Sequence, residues 1–555
     1  MADFETTTDL NDCRVWAWGV SEIGNPQNFT YGSNIDSFMD HIKGLKKVDI
    51  YFHNLKFDGE FILSWLFQND FIHVLDRKEL KGHTFTSLIS DKGQFYSMEV
   101  MWKDKGKRNK ESITFYDSLK ILPFSVDAIA KGFNLPIQKL EIDYHKKREP
   151  GHILTNEEVS YLKNDVEIVA SALQLLFDQG LDKMTQGSNA LFDYKRTVTV
   201  KRFKQWFPVP DYDADVRRAY RGGFTYLKPE HRGQDIGEGI VLDVNSLYPS
   251  VMYEKLLPYG EGVHFKAQYE DDDLYPLYVQ ALSCQFELKP KHIPTIQLKN
   301  NLAFIPTEYL ESSGSEEVIL YMTNIDLQLF KEHYDIYNIE YIGGWMFKAT
   351  NKLFKPYITK WNNEKMQAKK EGNRAMYLLS KLMNNALYGK FALNPKVRSK
   401  IPYYTDGMVK YYRGEEEERE GIYIPVGTFV TSYSREKTIR AAQQLYDRFI
   451  YADTDSLHLI GTDIPPELNI DDVKLGLWSH ESTFTRARFL RQKSYIEEID
   501  GKLQITCAGL PASSYQYVTW DNFQEGAIYE GKLQPKRTKG GVVLQEVTFE
   551  IKSKR

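Results

Sequence analysis

Ile240-Val241-Leu242-Asp243-Val244-Asn245-Ser246-Leu247-Tyr248-Pro249 and, much later in the chain, Arg448-Phe449-Ile450-Tyr451-Ala452-Asp453-Thr454-Asp455-Ser456 are the stretches on which the fold turns. Each opens with a short apolar run of the kind a fully buried strand requires, and each ends in acid. A carboxylate at a buried strand end is costly unless it is paired or binds metal. Alternation along a strand puts Asp453 and Asp455 on one face, where they can meet Asp243 from a neighbouring strand. Such a set can hold two divalent cations, Mg2+ or Mn2+. Ions held there lower the pKa of a hydroxyl and steady an in-line displacement at phosphorus.

Between the two acidic strands, Leu353 to Phe391 reads as helix, loop, helix and contains Lys381-Leu382-Met383-Asn384-Asn385-Ala386-Leu387-Tyr388-Gly389-Lys390. Spacings of four and three put Lys381, Asn385 and Tyr388 on one helical face. A cation facing phosphate oxygens and a ring packing on a base are what nucleotide selection requires. Alone, the stripe is an ordinary amphipathic helix. Flanked by acidic strands, it reads as a nucleotide-binding face.

A second carboxylate set precedes these. Asp3-Phe4-Glu5 places two acids on one side of a strand. Val48 to Phe52 is a strand running into His53-Asn54-Leu55-Lys56-Phe57-Asp58-Gly59. Tyr161 and Asp165 lie one turn apart on a helix over Glu157 to Phe177, with Thr155 or Asn156 as its N-cap. Four converging acids would bind two metals, hold a phosphodiester and turn water into hydroxide, with Tyr161 orienting that water. An isolated Asp-x-Glu is ordinarily a surface feature. In this order and spacing the pieces match the exonucleases built on three aspartates, a glutamate and a tyrosine. The basic run Lys103, Lys105, Lys107, Arg108 and Lys110 would guide DNA toward them, and equally fits a charged hairpin turn.

A chain of 555 residues exceeds what one core supports, so several domains are expected, with a boundary near 185–195. The net charge of −5 means that any nucleic-acid groove must be locally basic. Three separated cysteines, Cys13, Cys284 and Cys507, argue against a zinc or disulfide framework and fit a reducing compartment. Acids at positions 3, 5, 9 and 12 stand where a signal peptide would be basic then apolar, and Phe61 to Phe67 is a core-sized apolar run. A soluble intracellular protein with no membrane partner follows, cytoplasmic in the host cell if phage-encoded. The stretch Tyr411 to Glu420 reads as a solvated turn.

Taken in order, these motifs resemble the family B DNA polymerases and, more narrowly, their protein-primed branch. The resemblance runs from Asp3 to Gly540-Gly541-Val542-Val543-Leu544. It implies a multidomain fold, α/β and α+β, in which an RNase H-like 3′–5′ exonuclease domain (1–187) precedes a right-hand polymerase. The palm would span 188–254 and 425–520, the fingers 352–391 and the thumb 521–555. Two branch-specific insertions, 255–351 and 392–424, would contact a terminal protein and encircle DNA. The implied activity is processive, strand-displacing, protein-primed DNA synthesis with proofreading, using two metals at each site. The implied partners are primer-template DNA, dNTPs, single-stranded DNA at the exonuclease site, and a terminal protein as primer. The protein would be a monomer or a heterodimer with that terminal protein.

By the same resemblance Thr6, His53, Asn54, Phe57, Phe61, Ser118, Leu119 and Tyr144 are single-strand contacts and Lys139 an auxiliary lysine. Tyr220-Arg221-Gly222-Gly223-Phe224 matches the linker that coordinates primer traffic. Thr431 and Arg435 are template contacts, and Lys493-Ser494-Tyr495 steadies the primer end. Tyr248 is the gate against ribose, Lys365 and Lys381 hold triphosphate oxygens, and Tyr388 packs on the nucleotide. Three departures stand out: Ala386 where the motif carries serine, a start only two residues before Asp3, and a Glu497–Cys507 segment shorter than the branch pattern. A nuclease with a C-terminal binding module is the second reading, opposed by intact Asp243, Asp453 and Asp455. An RNA-copying polymerase is the third, opposed by the N-terminal acids and Tyr248.

Overall fold

The computed structural model describes residues 1–45, 47–104, 110–144, 146–297 and 309–552. Lys105, Lys107 and Arg108 of the basic run lie outside the described residues.

The N-terminal region is an eight-stranded sheet. Ala2–Thr6 is an inner strand, antiparallel to Val15–Glu22 and bridged in parallel to Val48–Phe52, which runs parallel to Lys110–Asp117. Alternation sends Phe4 into an apolar core with Phe38, Phe52 and Phe61, and leaves Asp3 and Glu5 to the other face. That face is covered by helix Asn156–Asp178, bounded by a capping box. The Thr155 hydroxyl accepts from Glu158 N at 3.2 Å, and the Glu158 carboxylate accepts from Thr155 N at 3.0 Å. Thr155, rather than Asn156, is therefore the N-cap.

The second catalytic layer is a five-stranded sheet ordered Trp478–Phe484, Gly239–Val244, Ser456–Ile460, Phe449–Asp453, Thr225–Leu227. Helix Ile424–Gln444, buried along much of its length, packs against it. One expectation changes here. Asp453 ends its strand, but Asp455 lies in the turn that follows, where Asp455 N donates to Asp453 O at 2.7 Å around Thr454 with φ 62°. The two acids flank a γ-turn instead of alternating along a strand.

Residues Leu257–Lys266, Tyr334–Thr350, Leu277–Leu288 and Val318–Thr323 form a separate four-stranded sheet with its own core, packed by helix Asn324–His333. The predicted helix–loop–helix is present as Lys355–Glu371 and Arg374–Ala386, but the second helix stops before Tyr388, which begins the short helix Tyr388–Phe391. The expected exposed turn at Tyr411–Glu420 is instead mostly strand Met408–Glu418, paired with Lys396–Thr405 around Asp406-Gly407. Consecutive glutamates reach across to Val397 and Arg398, so cross-strand pairing overrides their solubility. Glu497–Cys507 forms a tight hairpin around Asp500-Gly501, both with positive φ, which accounts for its brevity.

The last hairpin, Ile528–Thr538 with Gly541–Glu550, docks on the N-terminal domain. Arg537 Nε reaches buried Glu60 at 2.9 Å, and its guanidinium lies 4.6 Å from the Tyr411 ring. Gly541 sits against the Phe61 ring, and Val542 and Val409 join the N-terminal core. Three distant chain segments thus close a ring. No described helix is long and apolar enough to cross a membrane.

In the four-stranded sheet, a Cβ on Gly344 would lie 1.8 Å from the Val279 carbonyl oxygen, which the backbone cannot yield. Gly344→Ala should cost about 2 kcal/mol, read as a lower melting temperature. An unchanged melt would show that these strands part freely.

Candidate active sites

In the N-terminal domain, strand Ala2–Thr6 presents Asp3 and Glu5, the first turn of helix Leu55–Gln68 presents Asp58, and helix Asn156–Asp178 presents Tyr161 and Asp165. The four carboxylates feel one another. The Asp3 carboxyl is pushed up to about 7, first by burial and then by Asp165. Glu5 is raised well above its ordinary range by burial, Asp3 and Asp165; Asp58 by burial and Asp3; Asp165 mainly by burial. Lys139 Nζ is hydrogen-bonded to Asp165 Oδ2 and lies 3.2 Å from the Tyr161 hydroxyl, which meets the Tyr144 hydroxyl at 2.7 Å. Asp165 Oδ1 is buried and accepts no hydrogen bond.

The predicted strand contacts divide. Thr6, Phe57 and Leu119 are partly exposed, and Tyr144 is half-exposed. Phe61 is core, and buried Ser118 donates to Phe52 O at 3.1 Å. Both side chains are buried beneath their neighbours. His53 is fixed by Ser118 Oγ at 3.0 Å and the Phe124 carbonyl at 2.7 Å, and Asn54 adopts φ 81°. A residue missed in the sequence, Asp117, accepts from the backbone N–H groups of Asn54 and Leu119, both at 3.0 Å. It is an acid ending the buried strand Lys110–Asp117, the same signal that marks Asp243.

At the second site, burial, Asp455 and Glu481 push the Asp243 carboxyl up to about 7, while burial, Asp453 and Glu481 raise Asp455. Glu481 was not found by sequence reading. It is the extra residue of a β-bulge: Val241 faces Ser482 and Leu242 faces His480. Lys493 Nζ holds both oxygens of Asp453 at 2.8 and 2.9 Å, and Thr225 Oγ1 donates to Asp453 Oδ1 at 3.1 Å. Tyr495 packs beside them against Tyr451 and Phe489.

The predicted nucleotide residues also assemble. The Tyr248 and Tyr388 rings stack at 4.3 Å, and the Tyr220 and Tyr388 hydroxyls are 3.1 Å apart. Lys365 has a lowered pKa, first from burial and then from Lys381, so two ammonium groups face one another. Ala386 lines a cleft of about 670 Å3 with Gly187, Lys390 and Arg398.

The catalytic turn is braced from behind. A Cβ on Gly223 would lie 2.6 Å from Thr454 Oγ1, and Thr454 N donates to the Phe224 carbonyl at 2.6 Å. Arg435, 2% exposed, donates to the carbonyls of Arg221 and Gly222, both at 2.8 Å, and pairs with Asp326 at 2.6 Å. Thr431 is fully buried and bonds within its helix. The polar atoms of these two residues, implied by the resemblance as template contacts, bond to the linker and within the helix.

Among the described residues, no three carboxylate, histidine or cysteine side chains stand close enough to enclose an ion unaided. The fit to a hard cation is one of chemistry. Both clusters are oxygen donors that raise one another's pKa, Asp165 Oδ1 lacks a partner, and lysines supply positive charge at one member of each.

Two carboxylate sites on separate sheets, one flanked by lysine-bearing helices and stacked tyrosines, define a nucleic-acid polymerase. The family described as DNA polymerase type B, organellar and viral, matches residues 42–155 and 142–472, and the chain belongs to it. It is 48% identical over 573 residues to the DNA polymerase of Bacillus phage M2, across 99% of each chain. With that of Streptococcus phage Cp-1 it shares 33% identity over 580 residues, covering 99% of this chain and 98% of the other. Phi29 DNA polymerase complexed with primer-template DNA and incoming nucleotide substrates superposes with a TM-score of 0.94 at 46% identity, over 99% of each chain. The protein is a DNA-directed DNA polymerase of the phi29 type. Its fold joins an exonuclease-type α/β domain to palm, fingers and thumb with the branch's two insertions.

The raised Asp3 and Asp243 values carry a pH signature. A folded pKa above the unfolded one stabilises fully below about pH 4, and that contribution is lost as pH rises through about 7. In EDTA the protein should therefore melt lower at pH 8 than at pH 6, with these groups contributing on the order of 2 kcal/mol. Mg2+ should narrow the gap by binding the ionised form. A gap that Mg2+ leaves untouched would separate these acids from metal binding.

Proposed function

We propose that this polymerase is a protein-primed, strand-displacing replicase that proofreads with a 3′–5′ exonuclease, each site working with two divalent metals. The observation carrying this reading is the pair of separate carboxylate clusters. Asp243, Asp453 and Asp455 would hold one pair of Mg2+ or Mn2+ ions, and Asp3, Glu5, Asp58 and Asp165 the other. Bound there, the ions supply Lewis acidity that activates an attacking hydroxyl or water and neutralises developing charge.

The chain's own groups bind and orient. Lys365 and Lys381, held against like-charge repulsion, are relieved by triphosphate oxygens. Tyr388 leaves Tyr248 to pack on the incoming base, and Tyr248 then lies where a ribose 2′-hydroxyl would clash. Lys493 and Tyr495, beside Asp453, steady the primer end, and Tyr220 to Phe224 couples the turn to the approach of the primer. At the exonuclease site Tyr161, held by Lys139 and Tyr144, orients the attacking water near the 3′ end of a single strand. Primer-template DNA and dNTPs are the substrates, as named for the phi29 complex.

The ring closed by the last hairpin, the Lys396–Glu418 hairpin and the N-terminal domain supports processive synthesis around a duplex. Exposed Ile319, Tyr337 and Ile342 on the first insertion support docking of a terminal protein. We assign the exonuclease to 1–187, palm to 188–254 and 425–520, insertions to 255–351 and 392–424, fingers to 352–391 and thumb to 521–555. The host cytoplasm is the proposed location.

The test is primer extension beside degradation of a single-stranded primer. Asp455→Ala should reduce synthesis by on the order of 10³-fold and spare degradation, whereas Asp3→Ala with Glu5→Ala should do the reverse. Joint loss in either variant would refute two independent sites. Tyr248→Val should admit ribonucleotides; unchanged sugar discrimination would remove Tyr248 as the gate.

A further inference from the structure

The described residues between 139 and 155 form no helix or strand, yet they carry two groups that reach the N-terminal carboxylates. Lys139 has a local anchor, since Asn164 Nδ2 donates to the neighbouring Gln138 carbonyl at 2.9 Å. Tyr144 is 50% exposed and meets Tyr161 only through its hydroxyl and a ring edge. Its turn must be held from elsewhere.

Arg148 holds it. The residue is 5% exposed and its guanidinium lies 4.1 Å from the Trp16 ring centroid. Nη1 donates to the Asp143 and Lys146 carbonyls at 2.9 and 3.1 Å, the two that bracket the Tyr144 turn. Nε donates to Glu158 Oε1 at 2.8 Å. Glu158 lies in the first turn of the helix that carries Tyr161 three residues later and Asp165 two turns on. Its carboxyl is held down at about 2 against the cost of burial by His152, the Thr155 N–H and Arg148. Trp16 stands on strand Val15–Glu22, whose register sets Ala17 opposite Glu5 and Gly19 opposite Asp3. Ile142 and Leu154 pack on the small cluster of Trp16, Ala17 and Leu162. One planar fork thus joins the Tyr144 turn, the helix start and the acid-bearing sheet. A lysine cannot do this, because it lacks the fork and the stacking face.

We propose that Arg148 is a positioning residue for the 3′–5′ exonuclease, acting through Tyr144 to hold the Tyr161 hydroxyl and the 3′ end of the strand in register. The inference rests on the exonuclease reading above.

The test uses the full-length chain with Arg148→Leu, Arg148→Lys, Tyr144→Ala and the double variant Arg148→Leu/Tyr144→Ala. Exonuclease kcat and KM are measured on a single-stranded oligonucleotide, and 3′-end binding by 2-aminopurine fluorescence without divalent metal. Arg148→Leu and Arg148→Lys should each lower kcat/KM about tenfold or more, weaken the 3′-end signal and leave primer extension unchanged. In the Tyr144→Ala background Arg148→Leu should add no further loss. Additive losses, full activity in Arg148→Lys, or an unchanged 3′-end signal would overturn the proposal. If Arg148→Leu does not fold, Glu158→Gln and Arg148→Lys carry the same comparison. Asp165→Ala separates the two readings. Continued degradation in that variant would sink the exonuclease assignment itself, whereas its loss alongside additive Arg148 and Tyr144 effects sinks only the clamp.

Discussion

Charge held out of water is the constraint on which this molecule depends. Carboxylates buried beside one another resist ionisation, and the fold collects them twice, on two separate sheets. Each cluster is partly compensated by lysine, the first by Lys139 at Asp165 and the second by Lys493 at Asp453 and Lys381 toward Asp243. Compensation is incomplete by design of the geometry, since a fully neutralised cluster would have no use for a cation. The residual cost must be met by the surrounding packing. That explains why so many of the neighbouring polar residues are buried and internally bonded.

Arg435 shows how that support is organised. A buried guanidinium with one partner removed is strongly destabilising, so its four contacts act together. Asp326 comes from helix Asn324–His333, the carbonyls of Arg221 and Gly222 from the segment before strand Thr225–Leu227, and Ser432 from its own helix. The linker then continues to Gly223, which lies against Thr454, and the strained γ-turn at Thr454 sets Asp455 against Val244 N at 2.8 Å. Helix Asn324–His333, the segment 221–224 and the turn at Thr454 are therefore mechanically continuous. The absence of a side chain at Gly223 matters because the turn behind it has no slack.

Much of this was legible in the chain, and the failures share a cause. Buried strands ending in acid, the helix at Asn156–Asp178 and the motif order follow from local chemistry that tertiary contacts do not reverse. Asp455 was misplaced because strand alternation continues on paper through a turn that only backbone geometry reveals. Glu481 was invisible because a bulge breaks the period by which strand faces are read. Phe61, Ser118, Thr431 and Arg435 stand in the motifs as contact residues, and their burial is a property of packing that spacing does not carry. The glutamates of Met408–Glu418 mislead similarly: polarity suggested a loop, and a partner strand made a hairpin.

The ring contact joins these observations. Glu60, buried on the helix that also carries Asp58, faces Arg537 of the last hairpin. Its carboxyl is raised by burial and drawn down by Arg537. Taking Arg537 away would leave a buried charge half a turn from a catalytic-cluster aspartate. The hairpin that closes the ring therefore sets the environment of one acid on the helix that carries Asp58. Asp58, in the same helix turn as Glu60, is raised by burial and by Asp3 on strand Ala2–Thr6. The last hairpin and the N-terminal carboxylate cluster thus meet on a single helix, Glu60 facing the one and Asp58 the other.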